Sequence, residues 1–460
     1  MVTINETPKY NALTINSAGR LTLNSGFFMP SGAFLIQSGG SFVDNNTTQV
    51  ITATVRRNIT GNYTGGYPTP STLWHYVSSP ISNAKIEVFL GCLMNWWNDT
   101  AMTWVPLTLP ITQPMIVGKG YAVASYPSFG TAIFIGPLNT GNQNITGLTN
   151  NGSGGISYAG WNLIGNAFPS AFIWNDSVTR TNVDAAIYLW NGSTYVSYVP
   201  ADNYQVQAEQ GFFVHATAVG SVMIPNSNRV HSSGSFLKST LANNLELTAE
   251  NELYTDRTVI RFVDGATEYF DGEHDAYKLF SYVDACPQIW SITPEDDLSI
   301  NALPDLSVYP IIKVGFKAGE TGTYTIKAED LESFEVGTDL YLEDLITGTT
   351  QDLQLNQVYT FQAEGGSNGH RFNIHFAPLG QNENEIANIK IYSVEKDVFV
   401  NIPSAISGDI IVYNMLGYKV AQQNITGNSL NKLSLNTSSG YYLIKVVSNE
   451  ATVSGKVFIR

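Results

Sequence analysis

The closest match to a metal-binding pattern in this sequence is the acidic segment DGATEYFDGEHDAYK. Asp271, Glu273 and Asp275 have the 1-3-5 spacing with which carboxylate ligands begin an EF-hand calcium loop. Such a loop also needs a glycine at its sixth position and a glutamate at its twelfth, where this sequence has Ala276 and Tyr282. We therefore interpret the segment as an acidic surface turn and expect no cofactor, with an irregular Ca²⁺ site as the alternative.

The patterns of the common catalytic sites are absent or incomplete. There is no His-Glu-x-x-His zinc motif and no Gly-x-x-x-x-Gly-Lys phosphate loop, and GISYAG has Ala159 where a nucleophile turn needs glycine. His370 and His375 are an odd number of positions apart, so strict strand alternation predicts that they lie on opposite faces. No pair of carboxylates has a spacing that indicates glycoside hydrolysis. We expect that the protein is not an enzyme.

The composition narrows the class of protein further. Charged residues make up 13% of the 460 residues, and the net charge is −15. An acidic chain gains nothing from the phosphate backbone, so we expect no nucleic-acid partner. From residue 385 onward, seven Lys and Arg outnumber five Asp and Glu, so this tail carries +2 and the preceding residues carry −17. The tail is predicted to be a separate unit.

Short alternating runs, interrupted by Gly, Asn and Pro, predict an all-β protein. In RLTLNSGFFMPSGAFLIQSGGSFVDN, two or three apolar alternations are repeatedly followed by Ser-Gly or Gly-Gly. We interpret residues 1–47 as terminal rungs of a parallel β-solenoid, with a pair of ordinary hairpins as the alternative.

Residues 48–235 contain an internal duplication. WHYVSSPIS matches WNLIGNAFPS, WWNDTAMTWVP matches LWNGSTYVSYVP, and GKGYAVAS matches EQGFFVHA, in the same order. Two copies predict paired β-sheets related by a pseudo-two-fold axis. Their tryptophans are interpreted as core residues, although Trp96, Trp97, Trp104 and Trp190 near turns leave stacking on a sugar ring as an alternative.

Two further domains complete the predicted organisation. Residues 236–378 contain alternating strands with Gly and Asp turns, which favour a β-sandwich or jelly roll. A polar linker, LGQNENEI, follows. Residues 385–460 contain seven predicted strands, a number typical of an immunoglobulin-like sandwich.

The tail also resembles a known family. VYNMLGYKV, then GYYLIKV, then KVFIR at the end of the chain are similar to the type A C-terminal sorting domain of the type IX secretion system of Bacteroidota. The motif residues that the resemblance identifies are Tyr413, Asn414, Gly417, Gly440, Tyr441, Tyr442, Lys445, Lys456 and Arg460.

The resemblance implies a protein that crosses the periplasm and is recognised by the outer-membrane type IX translocon and its β-barrel shuttle protein. The first residues lack the basic and apolar regions of a signal peptide, which we interpret as the start of a fragment within a longer precursor. DTA and DSV resemble the O-glycosylation signal of the same phylum, which makes Thr100 and Ser177 candidate modified residues.

These observations favour a secreted, adhesin-like surface protein, which could act in gliding and bind a surface glycan or another adhesin. The alternatives are a carbohydrate-binding module of a secreted polysaccharide-degrading system and an enzyme whose site the sequence does not reveal.

Overall fold

A computed structural model describes most of the chain, and its fold confirms the all-β prediction. The described residues are 2–5, 9–25, 29–30, 32–65, 68–69, 72–107, 112–151, 159–232, 241–306, 308–377, 389–402, 407–425, 430–448 and 452–460. Their helical elements are the short 3₁₀ helices Ile86–Phe89, Pro200–Asp202, Asn226–Asn228 and Leu331–Ser333. Within these residues no helix has the length and apolar character that crossing a membrane requires.

The chain forms two compact units. The first contains Met1–Ser239 and Phe270–Cys286, and the second contains Thr240–Tyr269 and Pro287–Arg460. The segment predicted as one sandwich, residues 236–378, is therefore divided, because Phe270–Cys286 packs within the first unit.

The first unit begins with short strands that pair in parallel. Val2 pairs with Leu21, and Leu21 pairs with Phe42 in the next turn of the chain. Hairpins would pair antiparallel, so this arrangement is that of solenoid rungs, and it extends beyond residue 47 to the strand that ends at Asn58. The strands are β1 (Val2–Ile4), β2 (Lys9–Tyr10), β3 (Leu13–Ile15), β4 (Arg20–Leu23), β5 (Met29–Pro30), β6 (Phe34–Ile36), β7 (Ser41–Asp44) and β8 (Thr52–Asn58).

The duplicated blocks follow. The strands of the first copy are β9 (His75–Val77), β10 (Cys92–Asn98), β11 (Thr103–Pro106), β12 (Tyr121–Ser125) and β13 (Thr131–Pro137). Those of the second copy are β14 (Gln143–Leu148), β15 (Trp161–Gly165), β16 (Ala171–Trp174), β17 (Thr179–Trp190), β18 (Tyr195–Tyr198), β19 (Tyr204–Val206), β20 (Gly211–Ile224) and β21 (Arg229–Val230), and β14 pairs with β20.

The two copies have the same sheet order and exchange equivalent contacts. The order is β11-β10-β12-β9 in the first copy and β18-β17-β20-β15 in the second. Across the copies Val77 pairs with Gln210 and Lys119 pairs with Ile164, and the sequence blocks place these two bridges at matching positions. This reciprocity is the geometry of a pseudo-two-fold axis.

The second unit contains a curled sheet around one apolar core, which includes Leu247, Ile260, Val314, Phe372 and Ile374. The strands of this part of the chain are β22 (Asn244–Glu250), β23 (Thr255–Phe262), β24 (Ala276–Tyr277, in the first unit), β25 (Gln288–Ile292), β26 (Asp297–Leu303), β27 (Ile311–Lys317), β28 (Gly322–Glu329), β29 (Asp339–Asp344), β30 (Thr349–Asp352), β31 (Val358–Ala363) and β32 (Asn368–Ala377). The order of the strands in the curled sheet is β30-β29-β32-β27-β25-β26-β23-β22-β28-β31.

The two ends of this sheet approach each other, so the domain is a sandwich that nearly closes into a barrel. The Gln351 side chain on one end strand donates hydrogen bonds to the Asn356 and Val358 carbonyls at the other, at 2.8 and 3.0 Å. We call this domain the β-sandwich below.

The tail is a second, smaller sandwich with the seven strands that the sequence predicts. The strands are β33 (Lys390–Val394), β34 (Asp397–Asn401), β35 (Gly408–Asn414), β36 (Lys419–Asn424), β37 (Leu430–Ser434), β38 (Gly440–Ser448) and β39 (Thr452–Ile459). Three of them form the sheet β33-β34-β37, and four form the sheet β36-β35-β38-β39. Val398, Val412 and Ile444 fill its core and are fully buried.

Candidate functional site

The Tyr-Asn-x-x-Gly motif forms the turn between β35 and β36. The Asn414 side-chain oxygen accepts hydrogen bonds from the backbone amides of Leu416 and Tyr418, both at 3.0 Å. Gly417 has a φ of +84°, in the left-handed region that disfavours other residues. The asparagine and the glycine of the motif therefore stabilise the turn.

The two tyrosines of the Gly-Tyr-Tyr motif have opposite roles, because successive side chains point to opposite faces of β38. Tyr442 is 5% exposed, and its hydroxyl donates a hydrogen bond of 2.7 Å to the Ser438 carbonyl. Tyr441 is 54% exposed, and its ring centroid lies 5.1 Å from that of Phe458. One tyrosine is therefore buried in the fold, and the other is exposed on its surface.

The basic strand at the end of the chain is held in the sheet. β39 pairs with β38 from Thr452 to Ile459, and the Arg460 amide donates to the Glu395 carbonyl at 3.0 Å. Val457 and Ile459 are buried, whereas Lys456 and Arg460 are exposed. The alternation thus presents the basic side chains to solvent.

The three motifs meet on one side of the four-stranded sheet, which we call the outer tail face. Tyr413 pairs with Leu443, and Leu443 pairs with Lys456 on the next strand. The Lys456 ammonium lies 4.2 Å from the centre of the Tyr441 ring, a cation–π distance. This face combines exposed aromatic and aliphatic groups with lysine side chains.

Sequence reasoning missed the apolar members of this face. Leu443 is 40% exposed and Phe458 is 45% exposed, although both are large and apolar. Their signal was present in the sequence: each lies out of phase with the buried residues of its own strand. An exposed apolar group at such a position is unusual when it recurs on neighbouring strands.

The acidic segment does not gather its carboxylates around a common point. The Asp275 side chain accepts a hydrogen bond from the Asp271 amide at 2.8 Å, and Asp271 accepts one from the Glu273 amide at 3.0 Å. Glu273 pairs with Arg180 at 2.9 Å. Within the described residues, no group of three or more His, Cys, Asp or Glu side chains has a geometry that could hold a metal ion.

The prediction that His370 and His375 lie on opposite faces of a strand is wrong, because a β-bulge at Arg371 interrupts the alternation of β32. His370 lies 2.8 Å from the Asn373 side chain, which donates to Glu343 at 2.7 Å, and His375 lies 3.0 Å from the same Glu343 oxygen. The two histidines belong to one hydrogen-bonded chain.

The tryptophans of the duplicated blocks pack against other aromatic rings. Trp161 is 6% exposed and Trp190 is 8% exposed, and Trp190 stacks on Tyr282 at 4.3 Å. Trp97 and Trp104 are half-buried and meet at 5.3 Å. Each of these four tryptophans therefore contacts another aromatic ring of the protein.

The two glycosylation candidates lie in turns with exposed hydroxyl residues, Thr100 and Ser177. The Asn98 side chain accepts a hydrogen bond from the Thr100 backbone amide, and the Asn191 side chain accepts one from the Ser193 backbone amide in the same way. Thr100 therefore corresponds to Ser193 in the second copy, and modification of Thr100 or Ser177 stays a prediction.

Comparison with known proteins bears directly on the tail. Residues 394–460 match the family model described as the secretion system C-terminal sorting domain. This match covers the turn, the Gly-Tyr-Tyr strand and the basic terminal strand. The tail is a type IX secretion sorting domain, as its motifs indicate, and it marks the chain for export to the cell surface or the extracellular space.

The preceding residues have looser relatives. Residues 191–376 match a domain of unknown function, DUF8693. Over 268 residues, 48% of this chain, the sequence is 25% identical to the minor fimbrium subunit Mfa5 of Porphyromonas gingivalis. The alignment covers 21% of that protein, so the chain spans about a fifth of its length.

Proposed function

We propose that the protein is an adhesin-like surface protein whose export signal is read through the outer tail face. The observation that carries this proposal is the meeting of three separate motifs on that face, where Tyr413, Leu443 and Lys456 lie side by side on adjacent strands. The translocon and its β-barrel shuttle protein are the proposed readers. Lysines beside exposed rings suit a partner surface with both apolar and acidic groups.

Export can be tested with the whole chain placed behind a signal peptide in a Bacteroidota host. The full 460 residues should reach the medium or the cell surface, whereas a chain that ends before residue 389 should stay in the periplasm. A host without the type IX translocon should retain both. Equal export of the truncated chain would refute the proposal.

For the rest of the chain we propose binding rather than catalysis. The buried histidine of the second copy, His215, lies 2.6 Å from Asp184 and 5.0 Å from the Trp161 ring, a packed structural setting. The fimbrial relative supports attachment to a surface or to another subunit as the role. Cell adhesion that is lost when residues 1–377 are replaced by an unrelated exported domain would support this role, and unchanged adhesion would contradict it.

A further inference from the structure

The three-stranded sheet of the tail also has an outer side, and that side is covered. Tyr392 and Phe399 point away from the core of the tail and form a separate apolar cluster, yet they are only 6% and 2% exposed. Side chains on the outside of a free sandwich would be open to water. Another part of the second unit must therefore cover them.

The β-sandwich supplies the covering surface. The His375 ring on β32 lies 5.0 Å from the Phe399 ring, and Ile311 on β27 packs against the Tyr392–Phe399 cluster. His375 is fully buried, and its Nδ1 lies 3.5 Å from the Tyr392 hydroxyl. The centre of this contact is aromatic and dry, as in the energetically important centre of a protein interface.

Paired polar groups lie beside this centre. Asn401 on β34 accepts a hydrogen bond from the Tyr341 hydroxyl at 3.0 Å and donates one to Asp339 at 2.9 Å. Lys390 also pairs with Asp339, at 2.8 Å. Asn401 is 2% exposed, so its hydrogen-bonding groups are satisfied by the β-sandwich and not by water.

A carboxylate on the β-sandwich completes the contact. Glu343 lies 3.0 Å from His375 and 3.8 Å from Lys432 on β37. The hydrogen bond from His375 outweighs burial and lowers the pKa of Glu343 to about 2. Glu343 is therefore ionised at neutral pH, with a lysine of the tail beside it.

We propose that the β-sandwich is the binding partner of its own sorting domain, so that the two remain associated after the segment between them is cut. Two features support this: residues from two strands of the tail are buried by residues from β27, β29 and β32, and the polar groups around them are paired. The inference does not depend on whether the tail is the export signal.

The experiment uses the whole chain with a specific protease site placed within LGQNENEI. After complete cleavage, size-exclusion chromatography at about 10 µM should show the tail eluting with the larger fragment. Separate elution of the two wild-type fragments at that concentration would overturn the proposal.

Two variants identify the surface, one on each side of the contact. Phe399→Ala and His375→Ala should each raise the dissociation constant of the cut protein at least about tenfold, as truncation at an interface centre does. Phe458→Ala is the matched control, since it removes a phenylalanine from the outer tail face, and it should leave retention unchanged. Circular dichroism of each fragment reports its folding separately.

The double variant Phe399→Ala/His375→Ala tests direct contact. If the two rings meet, its loss of affinity should be smaller than the product of the two single effects. Fully multiplicative effects would show that the two rings do not contact each other directly, and equal weakening by Phe458→Ala would show that the tail is not held through this surface.

Discussion

The two outer surfaces of the sorting domain contain similar residues, but one surface is buried and the other is exposed. On the three-stranded sheet, Lys390 and Lys432 face the β-sandwich carboxylates Asp339 and Glu343, and Phe399 is 2% exposed. On the outer tail face, Lys456 lies over the Tyr441 ring, and Phe458 is 45% exposed. Composition alone does not distinguish the two sides. The difference is that the β-sandwich covers the side formed by the three-stranded sheet, whereas the outer tail face is exposed and, in our proposal, binds the export machinery.

The largest effect on stability is expected in the core of the tail, and it can be compared with the effect at the neighbouring position on the outer tail face. Ile444 is fully buried and Leu443 is 40% exposed. Ile444→Ala should lower the free energy of unfolding of the tail by about 2–5 kcal/mol, because it leaves a cavity. Leu443→Ala should change it by less than about 0.5 kcal/mol. Denaturant unfolding measures both, and equal losses would contradict the assignment of the two faces.

A smaller effect is expected at the turn that begins the outer face. Gly417 has a positive φ, and a Cβ built there would meet no atom within 4 Å. Gly417→Ala should therefore cost only the backbone strain, about 1–2 kcal/mol. Gly417→Asn should cost less, because asparagine tolerates this conformation better. Unfolding of the tail by Gly417→Ala would contradict this prediction, because it would require a steric clash at the turn that the structure does not show.

The smallest effect is the loss of stability that acid should cause at the covered side of the tail, where Glu343 lies. Since the pKa of Glu343 is lowered to about 2, its stabilising contribution is present at neutral pH, declines below its ordinary pKa, and is lost as the pH falls through about 2. Between pH 7 and pH 4 the loss should be under about 1 kcal/mol. Thermal unfolding of the wild type and of Glu343→Gln should show a shallower decline with acid in the variant. Parallel curves would contradict this role of Glu343.

The fold of the tail was predictable from sequence because its strands alternate cleanly and its turns use asparagine and glycine. β35 and β38 have the predicted bounds, Gly408–Asn414 and Gly440–Ser448. The duplicated domain was predictable for a related reason: repeated blocks require repeated strands. In both cases the information is local.

The parts that sequence missed depend on contacts between distant residues. The contact of His375 with Phe399 depends on how two domains dock, and nothing near either residue indicates it. The bulge at Arg371 places the His370 side chain on the opposite face of β32 from the one that strict alternation predicts. The Arg371 side chain forms a buried ion pair with Asp344 at 2.9 Å. Similarly, the acidic segment packs in the first unit although its neighbours in sequence belong to the second.

The most direct test of the account reverses charge on the outer tail face and measures export. Lys456→Glu combined with Arg460→Glu, in the whole chain behind a signal peptide, should abolish secretion and leave the melting temperature of the tail nearly unchanged. Lys396→Glu, an exposed reversal in the turn between β33 and β34, is the control and should be exported normally. The account predicts periplasmic retention of the double variant alone. Normal secretion of that variant would show that the signal is not read through the outer tail face.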